Sequence, residues 1–252
     1  MKVVVKVGTS SLAHSSGRIN VRSIKALIKV LSDLKNSGVD IIFVSSGAVG
    51  VGRGRLLMEE KPKDLPTQQA AASVGQSKLM HVYDDGFSKF GHPTSQILIT
   101  VADVDEAYHK DNFVAMLNRL LELGVIPIIN ENNAIGTPDI LIGDNDRIAA
   151  IIAAAVEADL LILLTDVDGL YDSNPNKNPD AKFFEVVEEI TPQLYELVDG
   201  VSSLGTGGMG TKIDAAKIAV DKGCETIIAN GKDPAILYDI LAGTARCTRF
   251  KA

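Results

Sequence analysis

Short apolar runs alternate with helical patterns along the 252-residue chain, and this alternation is the strongest constraint on its fold. Six runs have the length and aliphatic content of strands that are buried on both faces: 3–5, 41–44, 97–99, 125–129, 160–164 and 226–228. Such strands need helices on both sides of their sheet. Strand–helix–strand units at this spacing predict a doubly wound, mostly parallel α/β sheet sandwiched by helices.

Helical periodicity fills the segments between these runs. After the first run, one apolar stripe repeats every three or four residues and stops before Gly38: Ile24, Leu27, Ile28, Leu31 and Leu34. Further helices are predicted near 67–82, 112–123, 146–157, 192–201, 210–222 and 234–241.

One long stretch, Asp166 to Lys182, interrupts the alternation and is rich in Asp, Asn, Pro and Gly. Irregular loops of this length inside a compact domain are usually functional or disordered. The part that follows is too short to claim as an independent domain. We therefore predict a single domain over 1–252, with one lobe at about 1–165 and a second at about 166–252.

Charge and composition exclude several classes of function. Asp and Glu outnumber Lys and Arg by 32 to 25, so the chain is poorly suited to nonspecific nucleic-acid binding. The two cysteines and four histidines lack the spacing of metal ligands. The longest uncharged apolar run, 148–156, is too short to span a bilayer, and the N-terminus does not resemble a signal peptide. We expect a cytoplasmic protein with no metal site of its own, no membrane contact and no nucleic-acid partner.

The first segment with chemical character is Lys6-Val7-Gly8-Thr9-Ser10-Ser11, at the end of the first predicted strand. Gly8 allows backbone N–H groups to approach a ligand, and the hydroxyl groups that follow can donate hydrogen bonds. Ligands of open α/β sheets bind at this end of the strands. The alternative is that Lys6 extends into water from a strand at the edge of the sheet.

Two more segments follow predicted strands. In the segment 45–50, Ser46 and Gly47 come before a predicted helix. The free N–H groups at the start of a helix can form an anion site. The alternative is that tight packing between strand and helix requires small residues here. The polar run 130–133 ends with Asn133, and 143–146 contains Asn145 and Asp146 at the start of another helix. Asp144 or Asn145 could act only as a helix cap. Two polar clusters together indicate a pocket for charged and hydrogen-bonding groups.

The fourth segment, 204–212, contains Gly205, Gly207 and Gly210 in the spacing GxGxxG. This spacing occurs in dinucleotide-binding folds, but there it follows a strand, whereas 192–201 looks helical. No Walker A motif is present. Lys212 at the end of this segment, together with Lys6, favours a phosphate site with one lysine from each lobe. Phosphoryl transfer needs chiefly such positioning and charge neutralisation, and no general base if the acceptor is already an anion.

Six motifs in this order resemble the glutamate 5-kinases, which share the amino acid kinase fold: KVGTSSL at 6–12, SSGAVGVG at 45–52, INENN at 129–133, IGDNDRIAA at 142–150, LLTDVDGLY at 163–171 and GTGGMGTK at 205–212. The resemblance covers nearly the whole chain. It implies transfer of the γ-phosphoryl group of ATP, with Mg²⁺, to the side-chain carboxylate of L-glutamate, as the first step of proline biosynthesis. It also implies a homo-oligomer.

The same resemblance implies roles for individual residues. Lys6 and Lys212 would neutralise the transferring phosphoryl group, and Asp146 would hold both lysines. The substrate-binding residues would be Ser46, Gly47, Asn133 and Asn145. The ATP-binding residues would be Lys6, Gly8, Thr165, Asp166, Thr206, Gly207, Gly208, Met209, Gly210, Thr211 and Lys212.

The chain departs from the family pattern in two places. Asn133 stands where the family usually has aspartate, which removes a negative charge expected to face the α-ammonium of glutamate. The sequence ends at Ala252, where many members continue into a PUA domain, so we expect a short form without it. Two alternatives remain open at this point: an amino acid kinase acting on another small anion such as carbamate or a uridine nucleotide, and a non-catalytic amino-acid sensor.

Overall fold

The computed structural model describes residues 1–100, 107–135, 145–173, 175, 178–199 and 208–252. Its strands are β1 (Lys2–Val7), β2 (Asp40–Val44), β3 (Thr94–Ile99), β4 (Ile126–Glu131), β5 (Leu160–Thr165), β6 (Leu170–Tyr171), β7 (Phe183–Phe184), β8 (Val186–Val187), β9 (Glu225–Asn230) and β10 (Thr248–Phe250). Its helices are α1 (Thr9–Leu12), α2 (Val21–Asn36), α3 (Ala48–Arg55), α4 (Leu65–Ser88), α5 (Ala107–Glu122), α6 (Asn145–Ala155), α7 (Pro192–Asp199), α8 (Met209–Val220) and α9 (Ile236–Ala242). All six predicted strands and all seven predicted helices are confirmed, with boundaries shifted by a few residues.

One eight-stranded sheet runs through the molecule in the order β3-β4-β2-β1-β5-β9-β10-β8. Within this sheet of the described residues, the pairs from β3 to β9 are all parallel, β9 and β10 run antiparallel, and β10 and β8 are parallel. The prediction of a mostly parallel, doubly wound sheet is therefore confirmed. Since β1 connects to β2 on one side and pairs with β5 on the other, its carboxyl end lies where the winding reverses, which is where such sheets bind ligands.

Helices cover both faces of this sheet. Because side chains alternate along a strand, Val3, Val5 and Val7 of β1 face a core that includes residues of α2, α3, α4 and α9. Val4 faces the opposite core, which includes residues of α5, α6, α7 and α8. Lys6 has the same parity as Val4, so its side chain extends toward α6 and α8.

Local sequence explains where the helices begin and end. The Asn20 side chain caps α2 by accepting a hydrogen bond from the N–H of Ser23 at 3.2 Å, and Asp64 caps α4 in the same way through Thr67 at 2.9 Å. As predicted, α2 stops just before Gly38, which adopts the left-handed conformation with φ of 92°.

Helices α3 and α4 pack so closely that glycine is required between them. A Cβ atom on Gly52 would lie 1.7 Å from the carbonyl oxygen of Ala71, and one on Gly75 would lie 1.8 Å from that of Ala48. Neither contact is possible, so both positions must lack a side chain. This contact fixes α3, which begins at Ala48 within the predicted anion-binding segment 45–50.

Two expectations need correction. The stretch 166–182 is not irregular throughout, because β6 lies within it and forms an antiparallel pair with β7, where Tyr171 faces Phe183. The strand β3 is an edge strand and is only partly buried, since β4 is its one partner in the described sheet.

Among the described residues, no helix is both long and apolar enough to cross a membrane.

Candidate active site

The carboxyl ends of β1, β2, β4 and β5 open into one cleft with a volume of about 1,080 Å³. Side chains from all these strand ends line it, together with residues from the starts of α3, α6 and α8. The predicted site residues among its walls are Lys6, Gly8, Ser46, Gly47, Asn133, Asn145, Asp146, Thr165, Asp166 and Lys212. Residues that are far apart in the sequence thus meet at the carboxyl ends of the strands, the edge at which sheets of this kind bind ligands.

Two lysines and one aspartate form the centre of the cleft. The Nζ atom of Lys6 lies 2.7 Å from Oδ1 of Asp146, and the Nζ atom of Lys212 lies 3.1 Å from Oδ2 of the same carboxylate. All three residues are buried: Lys6 and Lys212 are each 7% exposed, and Asp146 is 4% exposed. The idea that Lys6 extends into water from a sheet edge is therefore wrong, because β1 is a central strand.

The electrostatics of this triad favour a bound anion. Burial alone would raise the pKa of Asp146, but the ammonium groups of Lys6 and Lys212 outweigh burial and hold the pKa below its ordinary value of 3.8. Asp146 is therefore ionised, and with both lysines protonated the triad carries one net positive charge. A phosphoryl group entering the cleft would meet that excess charge in a largely water-excluded place, where it acts strongly.

The segment between β2 and α3 places a turn beside the triad. Gly47, which precedes α3, has a φ of 86°, a conformation that favours glycine, and a Cβ atom there would lie 3.3 Å from Cγ2 of Thr9. Ser46 is buried, and its Oγ accepts a hydrogen bond from Nδ2 of Asn145 at 3.2 Å. Packing therefore explains part of the glycine pattern, but it leaves the hydroxyl of Ser46 on the cleft wall.

A network of amides connects the other acceptor-side residues. Oδ1 of Asn145 accepts a hydrogen bond from the backbone N–H of Glu131 at 3.2 Å. The Nδ2 atom of Asn133 donates to Oε2 of Glu131 at 2.6 Å. Asn145 is the first residue of α6, and its side chain bonds to Ser46 and to the backbone of Glu131, so its contacts reach beyond its own helix. The structure thus brings Ser46, Asn133 and Asn145 to one wall.

The opposite end of the cleft lies beyond β1 and β5. Gly8 has an ordinary negative φ, and a Cβ atom there would meet only the carbonyl oxygen of Leu164 at 3.8 Å. The chain itself therefore does not require glycine at this position, as expected if a ligand passes close to it. Thr165 donates its hydroxyl hydrogen bond to Oδ1 of Asp166 at 3.1 Å.

The glycine-rich segment leads into α8, which carries Lys212. Gly208 precedes the helix, Met209 and Gly210 begin it, and Thr211 donates its hydroxyl to the carbonyl of Gly208 at 2.8 Å. Thr206 and Gly207 lie outside the described residues. The described element before this segment is α7, a helix, whereas a dinucleotide fingerprint follows a strand.

Sequence reasoning missed the residues that support the acceptor side from α4. Gln76 accepts a hydrogen bond from Nδ2 of Asn130 at 2.8 Å, and the hydroxyl of Tyr83 lies 2.8 Å from Oγ of Ser45. These two side chains are seven residues apart on one face of α4, and both are buried. Polar groups on an otherwise apolar helix face were the signal that could have identified them.

A second group of missed residues lies beyond β5 and β9. Asp168 accepts a hydrogen bond from Nδ2 of Asn230 at 3.0 Å, and Asn230 accepts one from the backbone N–H of Lys232 at 3.0 Å. The guanidinium of Arg246 lies 3.6 Å from Asp168 and 4.7 Å from the ring centre of Phe183. These contacts tie the loops after β5 and β9 together next to Thr165.

Known proteins match both the sequence and the fold. The model of the amino acid kinase family matches residues 1–230. The glutamate 5-kinase of Caldanaerobacter subterraneus is 46% identical over 99% of this chain and 68% of its own length, and that of Clostridium perfringens is 45% identical over 100% of this chain and 95% of its own length. The structure of a UMP kinase from Ureaplasma parvum covers the whole of this chain with a TM-score of 0.69 at 17% identity. That of the Giardia lamblia carbamate kinase covers 99% of this chain with a TM-score of 0.70 at 14% identity. At these low identities the two structures support the fold alone. The chain therefore belongs to the amino acid kinase family and, within it, groups with the glutamate 5-kinases.

Proposed function

We propose that the protein transfers the γ-phosphoryl group of ATP to the side-chain carboxylate of L-glutamate, forming glutamyl 5-phosphate for the first step of proline biosynthesis. The observation that carries this proposal is the shared carboxylate of Asp146, which holds Lys6 and Lys212 side by side in the cleft. The glutamate 5-kinases that are 43–46% identical over nearly the whole chain supply the identity of the acceptor.

The acceptor needs no base from the protein. A glutamate side chain with a pKa near 4.3 is ionised at neutral pH, so one of its oxygen atoms can attack the γ-phosphorus directly. The new oxygen–phosphorus bond forms as the bond to the β,γ-bridging oxygen breaks, and ADP leaves with that electron pair. Ser46, Asn133 and Asn145 would hold the acceptor through hydrogen bonds.

The two lysines supply the electrostatic part of catalysis. In a loose transition state, negative charge spreads over the equatorial oxygens of the transferring group and the leaving oxygen. Lys6 and Lys212 would donate charge-assisted hydrogen bonds to those oxygens. Asp146 keeps the two ammonium groups close despite their mutual repulsion, so the site is organised before the substrates arrive.

The nucleotide would lie at the β5 side of the cleft, against Gly8, Thr165, Asp166 and the segment 206–212. Among the described residues there is no group of three or more acidic, histidine or cysteine side chains that could hold a metal ion. Mg²⁺ commonly binds through one or two carboxylates, substrate phosphates and water, and a cleft of this kind fits an ion that arrives with ATP. When bound, the ion would offset phosphate charge.

The proposed binding sides of the cleft correspond to two lobes of the chain. We propose an acceptor lobe at about 1–165 and a nucleotide lobe at about 166–252, within a single domain. A cytoplasmic location and a homo-oligomeric assembly are further parts of the proposal, which rest on the resemblance to the glutamate 5-kinases.

The test is turnover of ATP–Mg²⁺ with glutamate, aspartate, N-acetylglutamate, carbamate and UMP, with hydroxylamine present to trap acyl phosphates as hydroxamates. We expect hydroxamate with glutamate and little with the other acceptors. Activity on another acceptor would leave the fold and change the substrate. If the folded protein bound ATP but no acceptor reacted, the function would instead be that of a sensor.

A further inference from the structure

We propose that Asp168 and Asn230 are positioning residues for the nucleotide: the hydrogen bond between them holds Thr165 and Asp166 in place and so sets the affinity for ATP. The inference rests on the proposed function, which puts the nucleotide at the β5 side of the cleft. Thr165 and Asp166 line the cleft, whereas Asp168 and Asn230 are not among the described residues of its wall. The pair therefore acts through its neighbours.

The first anchor of the segment after β5 is a backbone contact. Thr165 is the last residue of β5 and is paired in parallel register with Asn230, the last residue of β9. The backbone N–H of Gly231 donates a hydrogen bond to the carbonyl oxygen of Thr165 at 2.7 Å. The chain leaves the sheet after this contact, and only two residues, 166 and 167, separate it from Asp168.

The second anchor is the side chain of Asp168, which returns to the same end of β9. Its Oδ1 accepts a hydrogen bond from Nδ2 of Asn230 at 3.0 Å. Oδ1 of Asn230 accepts one from the backbone N–H of Lys232 at 3.0 Å, which fixes the orientation of the amide. Residues 166 and 167 are thus held from both sides by the end of β9, and few backbone conformations remain open to them before a ligand binds.

The residues that follow Asp168 are attached to the sheet as well. A Cβ atom on Gly169 would collide with Oγ1 of Thr248, so the chain passes directly against that side chain. The backbone N–H of Leu170 donates to the same Oγ1 atom at 2.8 Å. Thr248 is the first residue of β10, which pairs with β9. Asp168 therefore lies between two attachment points on neighbouring strands.

The hydrogen bond to Asn230, rather than the charge of Asp168, carries the effect. The other carboxylate oxygen, Oδ2, lies 3.6 Å from Nε of Arg246, but the side chains of Arg246 and Asp168 are 66% and 41% exposed. An ion pair this exposed to water contributes little. An amide oxygen at position 168 would still accept the hydrogen bond from Asn230.

This arrangement lowers the cost of binding a nucleotide. The hydroxyl of Thr165 donates to Oδ1 of Asp166 at 3.1 Å, so the two residues on the cleft wall are also joined to each other. A wall that is ordered in advance loses less conformational entropy when the ligand arrives. Without the contact between Asp168 and Asn230, ATP would have to order residues 166 and 167 itself. The acceptor side of the cleft, at the ends of β2 and β4, would be unaffected.

The test compares the wild type with Asp168→Ala, Asn230→Ala and the double variant. The Kd for ATP–Mg²⁺ is measured by calorimetry without an acceptor, and the KM values for ATP and glutamate are measured by hydroxamate formation. We expect each single variant to raise the Kd and the KM for ATP about 3- to 10-fold, the range for one hydrogen bond. The KM for glutamate should change less than twofold.

Two further comparisons identify the contact responsible. The double variant should bind ATP no more weakly than the weaker single variant, because both changes remove the same hydrogen bond. Asp168→Asn keeps an acceptor oxygen and should restore most of the affinity for ATP. Asn36→Ala, at the exposed end of α2, is the matched control for Asn230→Ala and should leave all three constants unchanged.

The outcomes separate this inference from the proposed function. A wild type that binds ATP but forms no hydroxamate from glutamate would overturn the function, and the Kd values would still decide the role of the pair. Folded Asp168→Ala and Asn230→Ala variants with wild-type affinity for ATP would overturn the inference. Equal rises in both KM values, effects that multiply in the double variant, or an Asp168→Asn variant as weak as Asp168→Ala would each contradict it too.

Discussion

Lys6 and Lys212 contact the two oxygens of one carboxylate, although they lie 206 positions apart in the sequence, in a strand and a helix from different parts of the chain. Asp146 brings the two ammonium groups together at the switch point of the sheet. Counted over these three side chains, the charge is one positive unit, which suits the binding of a phosphoryl group.

Removing either lysine should stop catalysis without unfolding the protein. In Lys6→Ala or Lys212→Ala, the remaining lysine and Asp146 form a balanced ion pair, so the fold should survive. Loss of one donor to the transferring group should reduce kcat by at least about 100-fold. Lys217→Ala, five positions further along α8 on its exposed face, is the control and should retain activity. A folded Lys6→Ala or Lys212→Ala variant with near-normal kcat would refute the proposed role.

Removing the aspartate should instead destabilise the protein. Asp146→Asn leaves two buried ammonium groups facing a neutral amide, and breaking a buried charge pair typically costs about 3–5 kcal/mol of unfolding free energy. Urea denaturation measures this loss. Asp221→Asn removes the partner of Lys217 at the surface, where an exposed pair contributes only about 0–1 kcal/mol. Equal stability of the two variants would contradict the buried triad.

The contribution of Asp146 to stability should depend on pH. Its pKa is lowered in the folded state, so the unfolded chain binds more protons between the folded value and about 3.8. The stabilisation by Asp146 is therefore complete above the pKa of the unfolded state and is lost as the pH falls through the pKa of the folded state. Denaturation curves of the wild type and Asp146→Asn, from about pH 6 down to about pH 2, should converge at the acid end. Curves that stay parallel would argue against a lowered pKa.

The hydroxyl of Tyr83 should position the acceptor wall rather than the nucleotide. Tyr83→Phe removes its hydrogen bond with Ser45, beside Ser46, and we expect a loss of about 1–3 kcal/mol of stability. The KM for glutamate should rise several-fold while the KM for ATP stays constant. Tyr238→Phe, which removes a surface hydrogen bond to Asp33, is the control. Parallel changes in both KM values would assign Tyr83 a general structural role.

The fold was predictable because its signals are local. Aliphatic runs and helical stripes depend only on neighbouring residues, so the six strands could be inferred from the sequence, and their alternation with helices indicated a mostly parallel sheet. The short strands β6, β7, β8 and β10 could not, since each has only two or three residues and depends on pairing partners elsewhere. Two or three residues are too few to show the alternation of apolar and polar side chains that identifies a strand.

The candidate site was only partly predictable, for a related reason. Lys6 is conspicuous because a charged residue interrupts an apolar strand, and the glycine segments are conspicuous by composition. Gln76 and Tyr83 are ordinary residues within a long helix, and their importance arises only when α4 packs beside the ends of β2 and β4. The pairing of Asp168 with Asn230 likewise requires two loops to meet in space.

The most direct measurement follows the oxygen atom that is transferred. L-Glutamate labelled with ¹⁸O in its side-chain carboxylate would be incubated with the protein, ATP–Mg²⁺ and hydroxylamine. Attack of the carboxylate on the γ-phosphorus makes a labelled oxygen the bridge, and hydroxylamine then releases that oxygen with phosphate. We predict that the inorganic phosphate carries ¹⁸O in proportion to the hydroxamate formed. Phosphate without the label, from a protein that consumes ATP, would mean that the glutamate carboxylate is not the acceptor.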